Sequence, residues 1–328
     1  SDGVLPYNNA YRNDGIVGSL RLAPDARTDV RVMTRYNTSM YEYPTGSAGA
    51  LEDRNAERTE HRLVSGVEVG RRWSSRVETR AQLTAMDLLP RTNDGSDDAA
   101  DTLGFYGYYA RGTVKRRSAD ARTTVRLGDA QFVTLGADWA RDTERSQSVS
   151  QSEFGDFPSS FAAARENAAL YAQWHGERAR LSYTIGGRLD ENTAFGRFTT
   201  MRVGTAWRAA ERVRVRASVG SAFKAPSFFE NFAEGFTVGN ADLKPETSRA
   251  ADLGVELTLP RGATVQVTAF AQRFRNLIQY TGAPPAMGDP NYYNVAAANA
   301  DGVEVELTLA ELLGVQASVG HTWTDTRV

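Results

Sequence analysis

Long runs in which apolar and polar residues strictly alternate constrain this chain more than any other feature of its sequence. In the segment 212–219, valine or alanine occupies every second position, and arginine or serine occupies the positions between them. The segment 303–309 alternates valine and leucine with glutamate and threonine in the same manner. A period of two is typical of a β-strand with one apolar face, and no stretch sustains helical spacing. The sequence therefore predicts an all-β fold.

About fourteen such runs are predicted as strands. They lie near residues 14–23, 28–42, 58–72, 76–88, 113–127, 131–147, 165–176, 179–190, 197–208, 212–222, 248–259, 263–281, 294–309 and 314–327. Many exceed the roughly five or six residues that are common in soluble sheets. A tilted strand that crosses an outer membrane needs about 9–11 residues within the lipid. The lengths therefore favour membrane-spanning strands.

The connections between these strands alternate in length. Short ones are predicted near residues 23–27, 73–75, 128–130, 177–178, 209–211, 260–262 and 310–313, and longer ones near 43–57, 89–112, 148–164, 191–196, 223–247 and 282–293. Short periplasmic turns opposite long external loops are the pattern of outer-membrane barrels. Proline cannot donate to a strand ladder, and all eleven prolines are predicted to lie in the N-terminal lead or in these connections. We therefore predict a transmembrane antiparallel up-and-down β-barrel of the outer-membrane type.

The polar faces of the strands are too charged to contact lipid. Arg212, Arg214 and Arg216 share one face of their strand, and Glu304 and Glu306 share a face of another. Rows of both charge signs indicate the wet lumen of a large barrel, because a small barrel fills its interior with side chains. The alternative, a soluble sheet with solvated faces, needs a second packed layer of similar extent. The net charge of −2 gives no overall attraction for nucleic acid.

Two segments between residues 221 and 256 carry the most specific signal. The first contains Phe-Lys-Ala-Pro-Ser, and the second reads Asn-Ala-Asp-Leu-Lys-Pro-Glu and is followed on the next strand by Gly-Val-Glu. In these segments the chain resembles the TonB-dependent outer-membrane receptors, with Ala241 where that family usually has proline. Two later segments, 274–280 and 294–306, resemble the family's Asn-x-Ile and Asn…Gly-x-Glu strands. The residues that carry the resemblance are Phe223, Lys224, Ala225, Pro226, Ser227, Asn240, Asp242, Leu243, Lys244, Pro245, Glu246, Gly254, Glu256, Gly302 and Glu304.

The strong similarity covers about residues 220–306, and the general pattern is closest to the cobalamin and siderophore receptor branch. The resemblance implies a receptor in the bacterial outer membrane that takes up a scarce, large nutrient. Its implied partners are outer-membrane lipid, an extracellular small-molecule ligand, and the TonB complex, which acts through a plug domain in the lumen. No covalent chemistry and no required cofactor are implied. The alternative is a passive pore or adhesin barrel without energy coupling.

Since a plugged transporter barrel has 22 strands, the fourteen predicted here correspond to part of one. We expect residues 1–328 to be a partial receptor barrel that lacks the plug and the C-terminal strands. Catalytic signatures are also missing from the sequence. Cysteine is absent, and His61, His175 and His321 have no partner spacing that suggests a metal site or a triad.

The long loop after residue 222 has a simple physical interpretation. Pro226 and Pro245 are expected to stiffen it, and its phenylalanines are expected to form a small apolar core. These are Phe223, Phe228, Phe229, Phe232 and Phe236. A charge network on the barrel wall is expected from Asp242, Lys244, Glu246 and Arg249.

Two loops are candidates for ligand contact. Tyr280, Asn291, Tyr292, Tyr293 and Asn294 present aromatic and amide groups that suit a large polar ligand, or else form an ordinary aromatic rim. The second loop carries four carboxylates around Gly95. They are Asp94, Asp97, Asp98 and Asp101. Such a loop can hold Ca²⁺ through oxygen ligands, although its spacing does not match an EF-hand and a solvated acidic loop is the alternative.

Overall fold

The computed structural model describes residues 8–44, 53–286, 288–310 and 314–327. Within these residues, fourteen strands form one antiparallel sheet in which each strand pairs with its neighbours in sequence. They are β1 (Tyr11–Asp25), β2 (Thr28–Glu42), β3 (Glu57–Arg72), β4 (Val77–Asp94), β5 (Phe105–Gly128), β6 (Gln131–Ser152), β7 (Gly155–Arg178), β8 (Leu181–Asn192), β9 (Gly196–Ala210), β10 (Val213–Lys224), β11 (Glu246–Thr258), β12 (Thr264–Tyr280), β13 (Tyr292–Thr308) and β14 (Ser318–Arg327). The predicted all-β meander of fourteen strands is confirmed.

The sheet does not close on itself: across the described ranges no pairing joins β14 to β1. The only α-helical turn there is α1 (Phe228–Phe232), which lies between β10 and β11. In the same ranges, no helix combines the length and the apolar character that a membrane crossing would need.

The strand register separates the side chains onto two faces. One row across neighbouring strands contains Val32, Val67, Leu83, Ala119 and Trp139, and we call its face the outer face. Its side chains are well exposed although they are apolar. The opposite row contains Asp29, Gly70, Arg80, Arg122, Gly136, Tyr171 and Arg188, and we call its face the inner face. An exposed apolar face opposite a charged one is the arrangement of a barrel wall between lipid and a wet lumen.

The two ends of the sheet differ in their connections. At one end, which we call the turn end, residues 26–27, 129–130, 179–180 and 211–212 make two-residue turns. At the other end, the loop end, residues 225–245 and 281–291 make long connections. The predicted alternation of short and long connections is therefore confirmed at these positions. Parts of the predicted connections 43–57, 282–293 and 310–313 lie outside the described residues.

Two predicted loops are wrong. Much of 89–112 and nearly all of 148–164 is strand, because β5, β6 and β7 run for 24, 22 and 24 residues and only residues 153–154 join β6 to β7. The segment 191–196 likewise shortens to a connection of residues 193–195. Beyond the lipid both faces of a strand meet water, so the alternation that identifies a strand disappears while the backbone pairing continues.

The proline rule fails for the same reason. Pro24, Pro90 and Pro158 lie inside strands. Pro24 adjoins a shift of register in β1, and the pairing of β4 with β5 skips Leu89 and Pro90. Pro158 lies in the part of β7 that pairs with β6 alone. Each proline therefore occupies a position where the ladder does not need its missing N–H.

Candidate functional site

The loop 225–245 begins with a capped helical turn. Ser227 caps α1: its hydroxyl accepts a hydrogen bond from the Glu230 backbone N–H at 3.1 Å, and the Glu230 carboxylate accepts one from the Ser227 N–H at 2.6 Å. This reciprocal pair satisfies two backbone donors that a helix start leaves free. Ser227, predicted from the family motif, therefore has a clear local role.

The start of the loop docks on the inner face of β7. The Arg165 guanidinium donates to the Pro226 carbonyl oxygen at 2.6 Å and lies 4.5 Å from the centroid of the Phe228 ring. Burial lowers the pKa of Arg165, and the nearby carboxylate of Asp142 opposes that shift. This half-buried guanidinium satisfies a carbonyl and covers an aromatic ring, and it thereby fixes the loop to a strand three positions away in the sheet.

The apolar core of this loop is smaller than predicted. Phe228 is buried, whereas Phe229, Phe232 and Phe236 are well exposed. The remaining buried residues of the core are Pro226, Ala233 and Leu243. Pro226 and Leu243 belong to the family motifs, and both are buried in this core.

The loop then folds back onto α1. The Gly239 N–H donates to the Ala233 carbonyl and the Asn240 N–H to the Glu230 carbonyl, both at 2.8 Å. The Asn231 side-chain amide donates to the Asn240 carbonyl at 2.9 Å. A Cβ at residue 239 would lie 2.6 Å from the Asn231 carbonyl carbon. Only glycine fits there, a requirement that sequence reasoning missed.

Asparagine side chains attach the loop to β12 and β13. The Asn240 amide donates to the Tyr292 carbonyl at 2.9 Å. The Asn291 Oδ1 accepts from the Val238 N–H and its Nδ2 donates to the Thr281 carbonyl, both at 2.8 Å. Asn291 is buried, so its amide serves the protein itself in this structure.

Asn294 makes a second attachment. Its Oδ1 accepts from the Lys244 N–H at 2.8 Å, and its Nδ2 donates to the carbonyl oxygens of Lys244 and Asn276 at 2.9 and 2.7 Å. Asn276 has φ of +56°, and asparagine tolerates this left-handed conformation better than most residues. The Asn-x-Ile resemblance therefore corresponds to a local distortion of β12 that turns a backbone carbonyl toward Asn294.

The predicted charge network has different members. Glu246 pairs with Lys224 at 3.2 Å and accepts a hydrogen bond from the Ile278 N–H at 2.8 Å. Within the described ranges, Asp242, Lys244 and Arg249 form no ion pair with it. The contacts of Glu246 join β10, β11 and β12 at the point where the loop leaves the wall.

The remaining signature residues lie on the wall. Glu256 pairs with Arg216 and, at 3.6 Å, with Arg214. Gly302 is required because a Cβ there would collide with the Phe270 ring and the Trp323 carbonyl. At Gly254 a Cβ would lie 3.0 Å from the Thr268 hydroxyl, a tight contact but not a collision, and Glu304 lies opposite Thr268 on the inner face.

A row of aromatic rings follows the loop end. Phe161 contacts Phe229, Phe229 contacts Tyr292, and Tyr292 contacts Tyr280, with centroid separations of 6.4, 6.3 and 5.3 Å. Burial, and then the charge of Glu230, raise the pKa of Tyr292. Tyr293 lies opposite Gln279 and so has the parity of the outer face. Of the predicted ligand-contact residues, Tyr280 and Tyr292 therefore lie together on the inner side, where Tyr280 is largely exposed.

The acidic loop folds against the segment 53–56. The Asn55 side chain accepts a hydrogen bond from the Gly95 N–H at 2.8 Å and donates one to the Gly95 carbonyl at 2.9 Å. The Arg54 N–H donates to the Asp97 carboxylate at 2.8 Å. Asp53, Asp94, Asp97 and Asp101 line a cavity of about 360 Å³, whereas Asp98 is exposed.

The four carboxylates that line this cavity repel one another. Burial and then the charges of Asp53 and Asp97 raise the pKa of Asp94 to about 6. Across the described residues no three acidic or histidine side chains converge in a geometry that could hold a metal ion. Calcium binding at this loop stays a prediction.

The inner face of β2 to β8 carries a continuous ladder of charged side chains. Arg80 pairs with Glu68 at 2.9 Å and with Glu78 at 2.7 Å, and Arg122 pairs with Asp120 at 2.8 Å. The Tyr171 hydroxyl donates to Asp120 at 2.8 Å and lies beneath Arg188. Arg188 in turn pairs with Asp138 and Asp190. Gly136 is required beside this ladder, because the Tyr171 ring occupies the space that a Cβ at residue 136 would need.

Comparison with known proteins agrees with this geometry. The family model described as TonB dependent receptor-like, beta-barrel matches residues 2–328. The chain is 26% identical over 268 residues to the vitamin B12 transporter BtuB of Vibrio cholerae, an alignment that covers 81% of this chain and 39% of the transporter. It is 29% identical over 158 residues to the iron-regulated outer membrane virulence protein of the same species, with coverages of 43% and 24%. The chain therefore spans less than half the length of these curated relatives.

Solved structures share the fold. The ferric enterobactin receptor PfeA of Pseudomonas aeruginosa superposes with a TM-score of 0.76 at 18% identity, over 98% of this chain and 53% of that one. The siderophore receptor PirA of the same species gives 0.72 at 19% identity, over 96% and 57%. The relatives are transporters and receptors of the outer membrane rather than enzymes. This chain belongs to the TonB-dependent receptor family and forms part of the outer-membrane β-barrel of one of its members.

Proposed function

We propose that this chain forms part of the barrel wall and an external loop of an energy-coupled receptor. The receptor takes up cobalamin, a siderophore–iron complex or a similar large nutrient. The observation that supports this most is the loop 225–245, which is fixed to the inner face of β7 at one end and to β13 at the other. Buried hydrogen bonds hold the loop across the inner side, so its side chains keep fixed positions at the mouth. A receptor needs such a loop, since ligand contacts must be placed at its mouth.

The rings at the loop end suggest the class of ligand. Phe229 and Tyr280 present exposed aromatic surface beside the half-buried Tyr292, and the buried Phe161 packs against Phe229. Large nutrients with a flat conjugated part and polar edges suit such a surface, because aromatic side chains offer area at little entropic cost. The names of the relatives, a vitamin B12 transporter and siderophore receptors, fall in this class.

The inner face suits a partner that must be held and released. Most of its paired side chains are between a fifth and a half exposed, with Asp190 buried, and exposed ion pairs contribute only about 0–1 kcal/mol each. Such a wall exchanges one polar partner for another at small cost. The rows that contain Arg214 and Arg216 would hydrogen-bond a plug domain while leaving it movable by the TonB complex.

Transport of labelled ligand tests the proposal. The full-length receptor would be expressed in cells that lack their own cobalamin and siderophore receptors, with and without TonB. We expect uptake of labelled cyanocobalamin or of one ferric siderophore at nanomolar concentration, only in cells that have TonB. Uptake that is independent of TonB and does not saturate would instead show a passive pore.

Substitution of the paired tyrosines locates the ligand contact. Tyr280→Ala with Tyr292→Ala should weaken binding at least about tenfold, since aromatic anchors dominate such contacts. Tyr293→Ala is the matched control because that residue has the parity of the outer face. Equal effects of both changes would place the ligand elsewhere.

A further inference from the structure

A row of three charged side chains on the inner face leads to the start of the loop 225–245. Asp142 on β6 lies directly opposite Arg116 on β5 and directly opposite Arg165 on β7. The Arg116 side chain is 53% exposed, whereas the Arg165 side chain is 19% exposed. The row therefore extends from the open surface of the wall to the place where the loop docks.

Asp142 is engaged by only one of its two neighbours. The Nη1 atom of Arg116 donates to both carboxylate oxygens at 3.2 Å, whereas the Nε atom of Arg165 lies 4.0 Å from Oδ2. Arg165 instead donates to the neutral Pro226 carbonyl, at 2.6 Å. An ionised acceptor makes a stronger hydrogen bond than a neutral one. Arg165 therefore bonds to the weaker of the two acceptors beside it.

A second carboxylate near Arg165 has no partner. Glu144 lies two residues beyond Asp142 on the same face of β6 and is half-buried. Within the described part of the chain it makes no side-chain hydrogen bond and has no cation within 4.0 Å. Burial raises the pKa of Glu144, and the charge of Arg165 opposes that shift. Since burial of an unpaired carboxylate is unfavourable, a movement of Arg165 toward β6 would be compensated there.

The two ends of the loop are attached differently. Across the described ranges, the bond from Arg165 to Pro226 is the one hydrogen bond that joins residues 225–233 to a strand. The far end is held by asparagine side chains that bond to backbone groups, such as Asn240 with the Tyr292 carbonyl. The attachment of the start therefore depends on the position of one guanidinium, and the attachment of the end does not.

We propose that Arg165 is a positioning residue with two arrangements and that Arg116 decides between them. In the arrangement described above, Arg116 holds Asp142, and Arg165 holds the Pro226 carbonyl. When Arg116 leaves Asp142, Arg165 passes to the carboxylates of β6. The start of the loop 225–245 is then released while its end stays attached. Because Arg116 is open to the inner side, the inner face thereby regulates how firmly the loop is held at the mouth of the receptor.

Hydrogen exchange in the full-length receptor in detergent measures the two ends of the loop separately. The Glu230 amide, which bonds to Ser227, reports on the start, and the Val238 amide, which bonds to Asn291, reports on the end. Arg116→Gln should speed exchange at Glu230 about tenfold, a coupling of ordinary size for groups in contact, and leave Val238 within about twofold. Arg116→Lys keeps the charge and should restore slow exchange.

The decisive comparison is a double-mutant cycle. In a background with Asp142→Asn and Glu144→Gln, the Arg116→Gln change should no longer speed exchange at the start of the loop. Arg165 then has no carboxylate to which it can pass. The matched control is Arg122→Gln, which also removes an ion-paired arginine from the inner face of β5. A thermal midpoint for each variant checks that it folds.

Four results would overturn the inference. They are no effect of Arg116→Gln, an equal effect in both backgrounds, an equal effect of Arg122→Gln, and equally faster exchange at both ends of the loop.

The regulatory consequence rests on the proposed function, and titration with labelled cyanocobalamin or a ferric siderophore tests the two separately. We expect Arg116→Gln to bind about threefold more weakly, since a loosened loop must be ordered on binding. Unchanged binding together with faster exchange would overturn the regulation. Absence of binding even by the unmodified receptor would contradict the proposed function, and the exchange rates would then decide the coupling by themselves.

Discussion

The loop 225–245 and the charge ladder on β2 to β8 are both on the inner side of the wall, yet different interactions hold them. Buried neutral amides fix the loop, with Asn291 and Asn231 each only about 5% exposed or less. Most of the ladder consists of ion pairs that water reaches, such as Arg80 with Glu68, although Asp190 is buried. When one partner of a buried hydrogen bond is removed, the group left behind stays desolvated and unsatisfied, and the folded state loses stability. In an exposed ion pair, water can take the place of the missing partner. The burial of a contact therefore decides whether it is permanent or exchangeable.

The strongest test of the permanent region is Gly239→Ala. The new Cβ would lie 2.6 Å from the Asn231 carbonyl carbon and the Phe232 nitrogen, and the backbone must move to admit it. We expect the loop to lose about 3 kcal/mol of local stability, seen as faster hydrogen exchange of the Asn240 amide. Gly204→Ala is the control, because a Cβ there meets nothing within 4 Å. Similar exchange rates in both variants would show that the loop has no fixed structure.

Asn291→Ala removes one attachment of the loop and should have a somewhat smaller effect. The Val238 N–H and the Thr281 carbonyl lose their partner. An expected cost of about 2 kcal/mol would appear as faster protease cleavage within 225–245. Asn299→Ala on β13 is the control, since Asn299 makes no side-chain hydrogen bond within the described residues. If both variants resist protease equally, the buried amide is not what fixes the loop.

Arg80→Gln tests the exchangeable region. Although Arg80 contacts three carboxylates, Asp29, Glu68 and Glu78, it is about one-third exposed. We expect a loss of about 1 kcal/mol or less, measured by thermal unfolding, that shrinks further as salt is added. The control is Arg35→Gln, an inner-face arginine on β2 without an ion pair in the described ranges. A loss as large as that for Asn291→Ala would remove the distinction between the two regions.

The acidic loop gives an effect of pH rather than of a lost contact. Asp94 has its pKa raised from its ordinary value near 4 to about 6. Between these values the folded protein retains a proton that the unfolded chain has released, so stability falls as the pH rises from about 4 to about 6 and then levels off. Asp94→Asn should abolish this decrease in thermal midpoint, whereas Asp98→Asn should retain it. An unmodified protein whose stability rises over this interval would contradict the assignment.

Much of the fold was predictable from the sequence, because lipid on one side of a strand enforces alternation. The strand bounds of β2 and β3 were predicted within one residue. Outside the lipid that constraint ends, and the sequence of β5 to β7 no longer distinguishes strand from loop. The family motifs identified Ser227, Leu243 and Glu246 as important, and the structure shows the contacts that each one makes.

Other site residues left no signal in the sequence that could be interpreted. Gly239 looks like any loop glycine, and Arg165 lies in a segment whose alternation is weak. Asn291 and Asn294 suggested ligand contact, whereas in the structure their amides bond to backbone groups. Their contacts join residues about 50 positions apart, a separation over which no local pattern carries information.

The sequence by itself determined an outer-membrane barrel wall with an apolar and a charged face, because a side-chain period of two is a local property of every strand. The four motif segments determined the family. Only the tertiary structure decided that the loop 225–245 is held between β7 and β13, and that Glu246 pairs with Lys224 rather than with Lys244. These features depend on the register between strands, which brings distant residues together and which the order of residues along one strand does not specify.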